Sequence, residues 1–175
     1  MSDPAPSTRL SGSDVFSDPL VEELLGERLV AVLASYDRSG HIHAVPMWFA
    51  RLDRSIVLAT GSRSRKVANL ARDARATLVV HDSRPGFEVC GVSFAGRAAV
   101  VRGDEARELV DAVHARYVDD ANAPAEARAF LSSDDVALRF LPELALTWDE
   151  RGSDANVALR ATGAAHPLVT TAPRP

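Results

Sequence analysis

The chain has 175 residues and a mass of 18.7 kDa, enough for one domain with one core and one ligand site. Hydrophobic residues make up 46% and charged residues 25%, an ordinary globular mixture, and the net charge of −4 excludes a broad basic face for nucleic acid. A lone cysteine, Cys90, excludes an internal disulfide and a cysteine-based zinc site, and no apolar run approaches the ~20 residues of a membrane span.

Residues 1–13 are rich in Ser, Pro and Asp. They carry no apolar h-region, so they read as a disordered tail rather than a secretory signal, and a cytoplasmic location is expected. Residues 151–175 show no sustained period and read as a second disordered tail. The folded domain is thus expected over residues 14–150. Asp18 is a good helix N-cap and Pro19 suits the first helical position; Leu20, Leu24 and Leu25 supply the stripe of a helix ending near Gly26. Leu29 to Tyr36 is an apolar run of strand length. Asp37-Arg38-Ser39-Gly40 turns it, and His41 to Arg51 returns as the second arm of a hairpin. Pro46 lies in that arm without a ladder N–H, which implies an edge, a bulge or an approach by something other than a strand. Asp53-Arg54 turns again, and Ser55 to Thr60 is a third strand.

A short helix follows, to about Arg72, with Val67, Leu70 and Ala71 expected to face the core. Ala76 to His81 is a fourth strand, Arg84-Pro85-Gly86 a loop, and Val89 to Arg102 a long strand with bend points at Gly91 and Gly96. Asp104 caps an amphipathic helix carrying Leu109, Val113 and Tyr117. A further helical stretch falls at about 124–131. Val136 to Trp148, broken at Pro142, closes the fold. Six strands with short connections predict an α+β protein: a six-stranded antiparallel barrel with peripheral helices.

The segment Gly61 to Asn69 carries the chemistry. Helix N-termini bear partial positive charge and unsatisfied N–H groups, so acidic side chains are preferred there. This helix opens instead with Arg63, Arg65 and Lys66. Of the 20 basic residues of the chain, all but Lys66 are arginine. Asp73 lies at the opposite, unfavourable end. A bound anion would resolve the conflict: Ser62 and Ser64 offer hydroxyls, Gly61 permits close approach, and the cations supply charge. A solvated basic turn is the other reading, because each surface mismatch costs only ~0.3–1 kcal/mol. Trp48, Phe49 and Trp148 are the aromatic candidates for stacking or for packing. Pro46-Met47-Trp48 offers a ligand wall where the ladder is already disrupted. His41 and His43 share a strand face, a spacing that suits a metal or haem ligand pair or simply two exposed histidines near a turn. His81, His114 and His166 read as structural or solvated, and Cys90 as a buried small residue. No catalytic triad or paired-carboxylate motif is evident.

Gly-x-x-Ser-Arg-Lys-x-x-x-Leu, spanning Gly61 to Leu70, resembles the phosphate-binding stretch of the pyridoxamine 5′-phosphate oxidase-like superfamily. His41 to Phe49 is similar to the second-strand pattern of its actinobacterial flavin and deazaflavin oxidoreductases. Lys66 to Asp73 resembles their helix, Asp82 to Gly96 their long loop and fifth strand, and Leu141 to Asp149 their closing strand. The resemblance implies a split β-barrel, a homodimer, and a flavin or deazaflavin at the subunit interface. It implies that Arg65 and Lys66 contact a cofactor phosphate, that Thr60, Ser62 and Ser64 line the same end, and that Val45, Pro46, Met47 and Trp48 lie along the ring system. It implies an oxidoreductase passing hydride from coenzyme F420 to a small unsaturated or conjugated substrate. An FMN-dependent enzyme is the alternative, and a non-catalytic flavin, deazaflavin or haem carrier is a third reading. The strand from Ala44 to Phe49 lacks the basic residues of true pyridoxamine 5′-phosphate oxidases. Gly91 falls where those enzymes have a flavin-contacting glutamine, and their C-terminal Arg-x-His has no counterpart. Vitamin B6 oxidation is therefore not expected.

Overall fold

The computed structural model describes residues 7–84, 88–118 and 134–161. In chain order the elements are β1 (Thr8–Ser11), a 3-10 turn (Gly12–Phe16), α1 (Pro19–Gly26), β2 (Ala31–Tyr36), β3 (Ile42–Met47), β4 (Phe49–Leu52) and β5 (Ser55–Gly61). They continue with α2 (Arg65–Arg72), β6 (Arg75–Arg84), β7 (Glu88–Val101), α3 (Asp104–Tyr117), β8 (Asp135–Asp149) and α4 (Asp154–Ala161). The helical stretch expected near 124–131 lies outside the described residues.

All the strands join one antiparallel sheet in the order β3-β2-β6-β7-β8-β5-β4, with β1 added on β8. β3 and β4 lie at opposite ends of that order, yet Trp48 alone separates them in the chain. The sheet must therefore curl until its two edges nearly meet, which makes it a barrel split along one seam. This α+β architecture is the one expected. It has eight strands among the described residues rather than six, because the expected strand 41–51 is divided at Trp48 and because β1 joins the sheet.

The N-terminal boundary is a correction. Residues 8–11, expected in a disordered tail, pair with the second half of β8, Thr8 opposite Thr147 and Ser11 opposite Leu144. The reason is tertiary. β5 covers only the first half of that long strand, from Asp135 to Phe140, and β1 satisfies backbone groups that would otherwise form an open edge. Order also extends past residue 150. Arg151 bonds Asp149 and Glu23 at 2.6 Å each, and α4 follows.

α1 forms as its sequence dictates, with the Asp18 carboxylate accepting from Leu20 N and Val21 N and Pro19 at the first position. α3 differs in its cap. Gly103, at φ 74°, occupies the cap position, and Asp104 is the first helical residue, paired with Arg107. In α2 the buried residues are Val67, Asn69 and Leu70, whereas Ala71 is exposed. Burial of Asn69 is tolerated because its amide donates to the buried Ser35 hydroxyl at 3.3 Å.

Apolar packing forms two layers. The larger core fills the barrel under α1 and α2 and includes Leu24, Leu33, Phe49, Leu58, Phe94 and Phe140. The smaller one lies between the outer face of the β5–β8 region and α3, around Val57, Val110, Val113 and Ala137. β5 is covered on both faces, which is why its sequence is apolar without alternation. At Gly96 the β7–β8 register shifts. A Cβ there would overlap the Leu141 carbonyl, so only glycine fits. Gly91 is a packing site rather than a bend, lying under the Trp148 indole.

Candidate functional site

The mouth of the seam is built by Tyr117. Between Met47 and Phe49 the chain leaves one sheet edge for the other, so backbone groups there lack ladder partners. The Tyr117 hydroxyl accepts from Phe49 N at 3.3 Å and donates to Leu29 O at 2.6 Å. Its ring stacks on Trp48, with centroids 5.0 Å apart and an interplanar angle of 3°. The neighbouring Arg116 donates to Leu25 O and Glu27 O at the end of α1, and its guanidinium lies over the Phe49 ring. Phe49 is thus core, while Trp48 stays partly exposed as a wall.

Beside this wall is a cleft of about 420 Å³, lined by Pro46, Met47 and Trp48, by Ala59, Thr60 and Gly61 at the end of β5, and by Lys66, His114 and Asp135. That volume falls within the range of small-molecule sites. Pro46 has the edge position its sequence implied, because among the described residues β3 pairs only with β2.

The basic segment divides. Lys66 is half-buried, and its ammonium donates to Thr60 Oγ1 at 2.9 Å. The Thr60 hydroxyl in turn donates to Ser64 Oγ at 3.3 Å. Burial pushes the Lys66 ammonium below its ordinary value, and no carboxylate among the described residues opposes that shift. Ser64 occupies the N-cap of α2 without a side-chain cap bond, and no acid lies in the first turn. Ser62 turns the other way, its hydroxyl bonded to Asp134 at 2.9 Å. Arg63 and Arg65 are exposed. Arg65 lines a separate depression of about 240 Å³ with Arg38, Ser39 and Arg72, beside the β2–β3 turn. Val45 packs half-buried against the barrel core rather than lining the cleft.

The charge conflict expected at the C-terminal end of α2 is answered within the protein. Hydrogen bonds from Arg75 hold the Asp73 carboxyl at about 2, and Arg72 sits favourably in the last turn. The conflict at the N-terminal end remains, concentrated on Lys66.

His41 lies just outside β3, mostly exposed and 3.8 Å from Asp37. His43 is half-buried on the strand, with Nδ1 unpartnered among the described residues. His114 is the main residue that the structure adds to the cleft. Expected to be structural or solvated, it lines the cleft, 3.8 Å from Asp135. A signal for it existed: four residues after the buried Val110 and three before Tyr117, it lies on the packed side of α3. Asp135, at the start of a strand, gave none.

A curled antiparallel sheet open at one seam, with a ligand-sized cleft at the seam's mouth, defines a split β-barrel. Residues 17–149 match the family described as pyridoxamine 5′-phosphate oxidase, and the chain belongs to that family. Among solved structures, the conserved hypothetical protein Rv2991 from Mycobacterium tuberculosis is 26% identical, with 93% of this chain and 99% of that chain covered and a TM-score of 0.65. The heme storage protein HutZ from Vibrio cholerae is 18% identical over 75% of this chain and 94% of its own, with a TM-score of 0.60. An F420 reductase is 19% identical over 71% and 94%, with a TM-score of 0.53. The last two share the fold. No curated protein matches the chain.

Proposed function

We propose that this protein is an oxidoreductase that binds a phosphate-bearing deazaflavin, coenzyme F420, in the cleft at the seam. The observation that carries the reading is Lys66: a half-buried ammonium, bonded to a neutral hydroxyl, at an uncapped helix start in a ligand-sized cleft. A half-buried charge with no counter-ion among the described residues is unfavourable, and a phosphate would supply the counter-ion. The phosphate would be held by Lys66 with the hydroxyls of Thr60 and Ser64. It would avoid the Ser62 side, where Asp134 would repel it. Pro46, Met47 and Trp48 would lie along the ring system, with Tyr117 keeping the Trp48 indole fixed. When bound, such a cofactor supplies the hydride, and the protein holds it and positions an unsaturated or conjugated acceptor beside it.

The working form would be a homodimer. The outer face of the sheet carries Ile42 at 69% exposure, with Tyr36 and Leu146 also exposed, an apolar face that suits a partner. Pro46 belongs both to this face, opposite Val32, and to the cleft. A second copy docked there would complete the cleft wall.

Fluorescence titration of the purified protein with F420 and with FMN tests the reading. Tighter binding of F420 is expected. Tight FMN binding with no deazaflavin response would assign the site to the flavin enzyme instead. Binding of either cofactor without turnover of any acceptor would favour a carrier.

A further inference from the structure

His114, near the end of α3, and Asp135, the first residue of β8, meet inside the cleft that the family resemblance did not assign to them. His114 Nε2 lies 3.8 Å from Asp135 Oδ2, and both side chains are only 14% exposed. That distance exceeds a hydrogen bond but allows a charge interaction, largely shielded from bulk water, whenever the imidazole is protonated. The imidazole meets the Trp48 ring edge-on, with centroids 6.5 Å apart at 83°, so its plane is fixed from a second side. The other charged and titratable groups around it among the described residues are Lys66 from α2, Asp134 beside Asp135 on the β8 side, and Tyr117 one turn later on α3. Burial raises the Asp135 carboxyl, and the charge of His114 opposes that shift. A titratable pair facing a ligand cleft has a use that a scaffold histidine lacks.

We propose that His114 donates the proton to the acceptor bound in this cleft, and that Asp135 is the positioning residue that orients its imidazole. The inference rests on the oxidoreductase reading above. The step balances as addition of two hydrogens across the acceptor's double bond. One carbon receives hydride, with its electron pair, from the reduced deazaflavin or flavin. An imidazolium N–H of His114 breaks, and its proton goes to the other atom of the bond. The cofactor leaves oxidised, the acceptor leaves reduced, and neutral His114 regains a proton from water through the open cleft.

The test has two arms on the full-length protein. In the first, the imidazole C–H resonances of His114 are followed by NMR from pH 4.5 to 9 without cofactor, in the wild type and in Asp135→Asn. The His114 midpoint is expected to move to lower pH by several tenths of a unit or more once the facing charge is gone. An unmoved midpoint overturns the pairing. In the second, 2-cyclohexen-1-one is reduced with reduced F420 across the same pH range. His114→Gln is expected to lose about 10²- to 10⁴-fold in turnover, to lose the fall in rate at high pH, and to keep its affinity for F420 within threefold. Asp135→Asn should retain the high-pH fall but at lower pH. Wild-type turnover and an unchanged pH profile in His114→Gln overturn the proton-donor role while leaving the oxidoreductase reading intact. Failure of the wild type to bind either F420 or FMN removes that reading and the donor role with it.

Discussion

Replacing Lys66 by Met separates a residue kept for packing from one kept for a ligand. In the free protein the ammonium is half-buried, burial depresses its pKa from the ordinary 10.5, and its hydrogen-bond partner is the Thr60 hydroxyl. A base with a depressed folded pKa binds fewer protons folded than unfolded. Stability therefore rises with pH between the depressed value and 10.5, and at neutral pH the charge destabilises the fold. Lys66→Met keeps the methylene packing and removes that penalty, so the melting temperature at pH 7 should stay level or rise, and the gain in stability at alkaline pH should vanish. Binding should move the opposite way. A charge-assisted hydrogen bond is worth about 1.5–3 kcal/mol, so cofactor affinity should fall about 10- to 150-fold. Arg63→Ala, at an exposed position, should lower affinity less than threefold. Thermal melts at pH 7 and 10, with fluorescence titration of F420 and FMN, measure all three effects. Unchanged cofactor affinity in Lys66→Met, or a larger loss in Arg63→Ala, would refute the placement of the phosphate.

Three further outcomes follow from particular contacts. Gly96→Ala drives a Cβ into the Leu141 backbone, which cannot rotate away, and should cost about 3 kcal/mol; Gly91→Ala meets the Trp148 indole, a side chain able to shift, and should cost about 1–2 kcal/mol. Denaturant melts that reverse this order would contradict the register at the bulge. Tyr117→Phe leaves Phe49 N and Leu29 O without their shared partner and should cost about 2 kcal/mol while preserving the stack on Trp48; wild-type stability would show that the hydroxyl does not close the seam. Sedimentation should give a dimer for the wild type and a monomer with weakened cofactor binding for Ile42→Glu, and a wild-type monomer with full affinity would remove the interface from the site.

Local chemistry determined much of this protein. Asp18-Pro19 specifies the start of α1 because a carboxylate at that position can reach the next two free N–H groups. Pro46 marks an edge because it has no N–H to give a neighbour. Alternation, turn residues and short connections are enough for an antiparallel α+β fold, and Lys66 was conspicuous as a cation at the wrong end of a helix. Only the tertiary structure decided how the basic cluster is shared out. Lys66 turns inward to Thr60, Arg65 turns to another depression, and Ser62 meets an acid 72 residues away. It also brought β1 onto β8, since an open strand edge is created by the length mismatch between two distant strands. His114 and Asp135 acquired their meaning in the same way: nothing local relates them, and they meet because α3 packs across the β5–β8 surface. Periodicity records which face a residue presents, whereas a site depends on which other faces arrive there, and that is settled by packing between segments far apart in the chain.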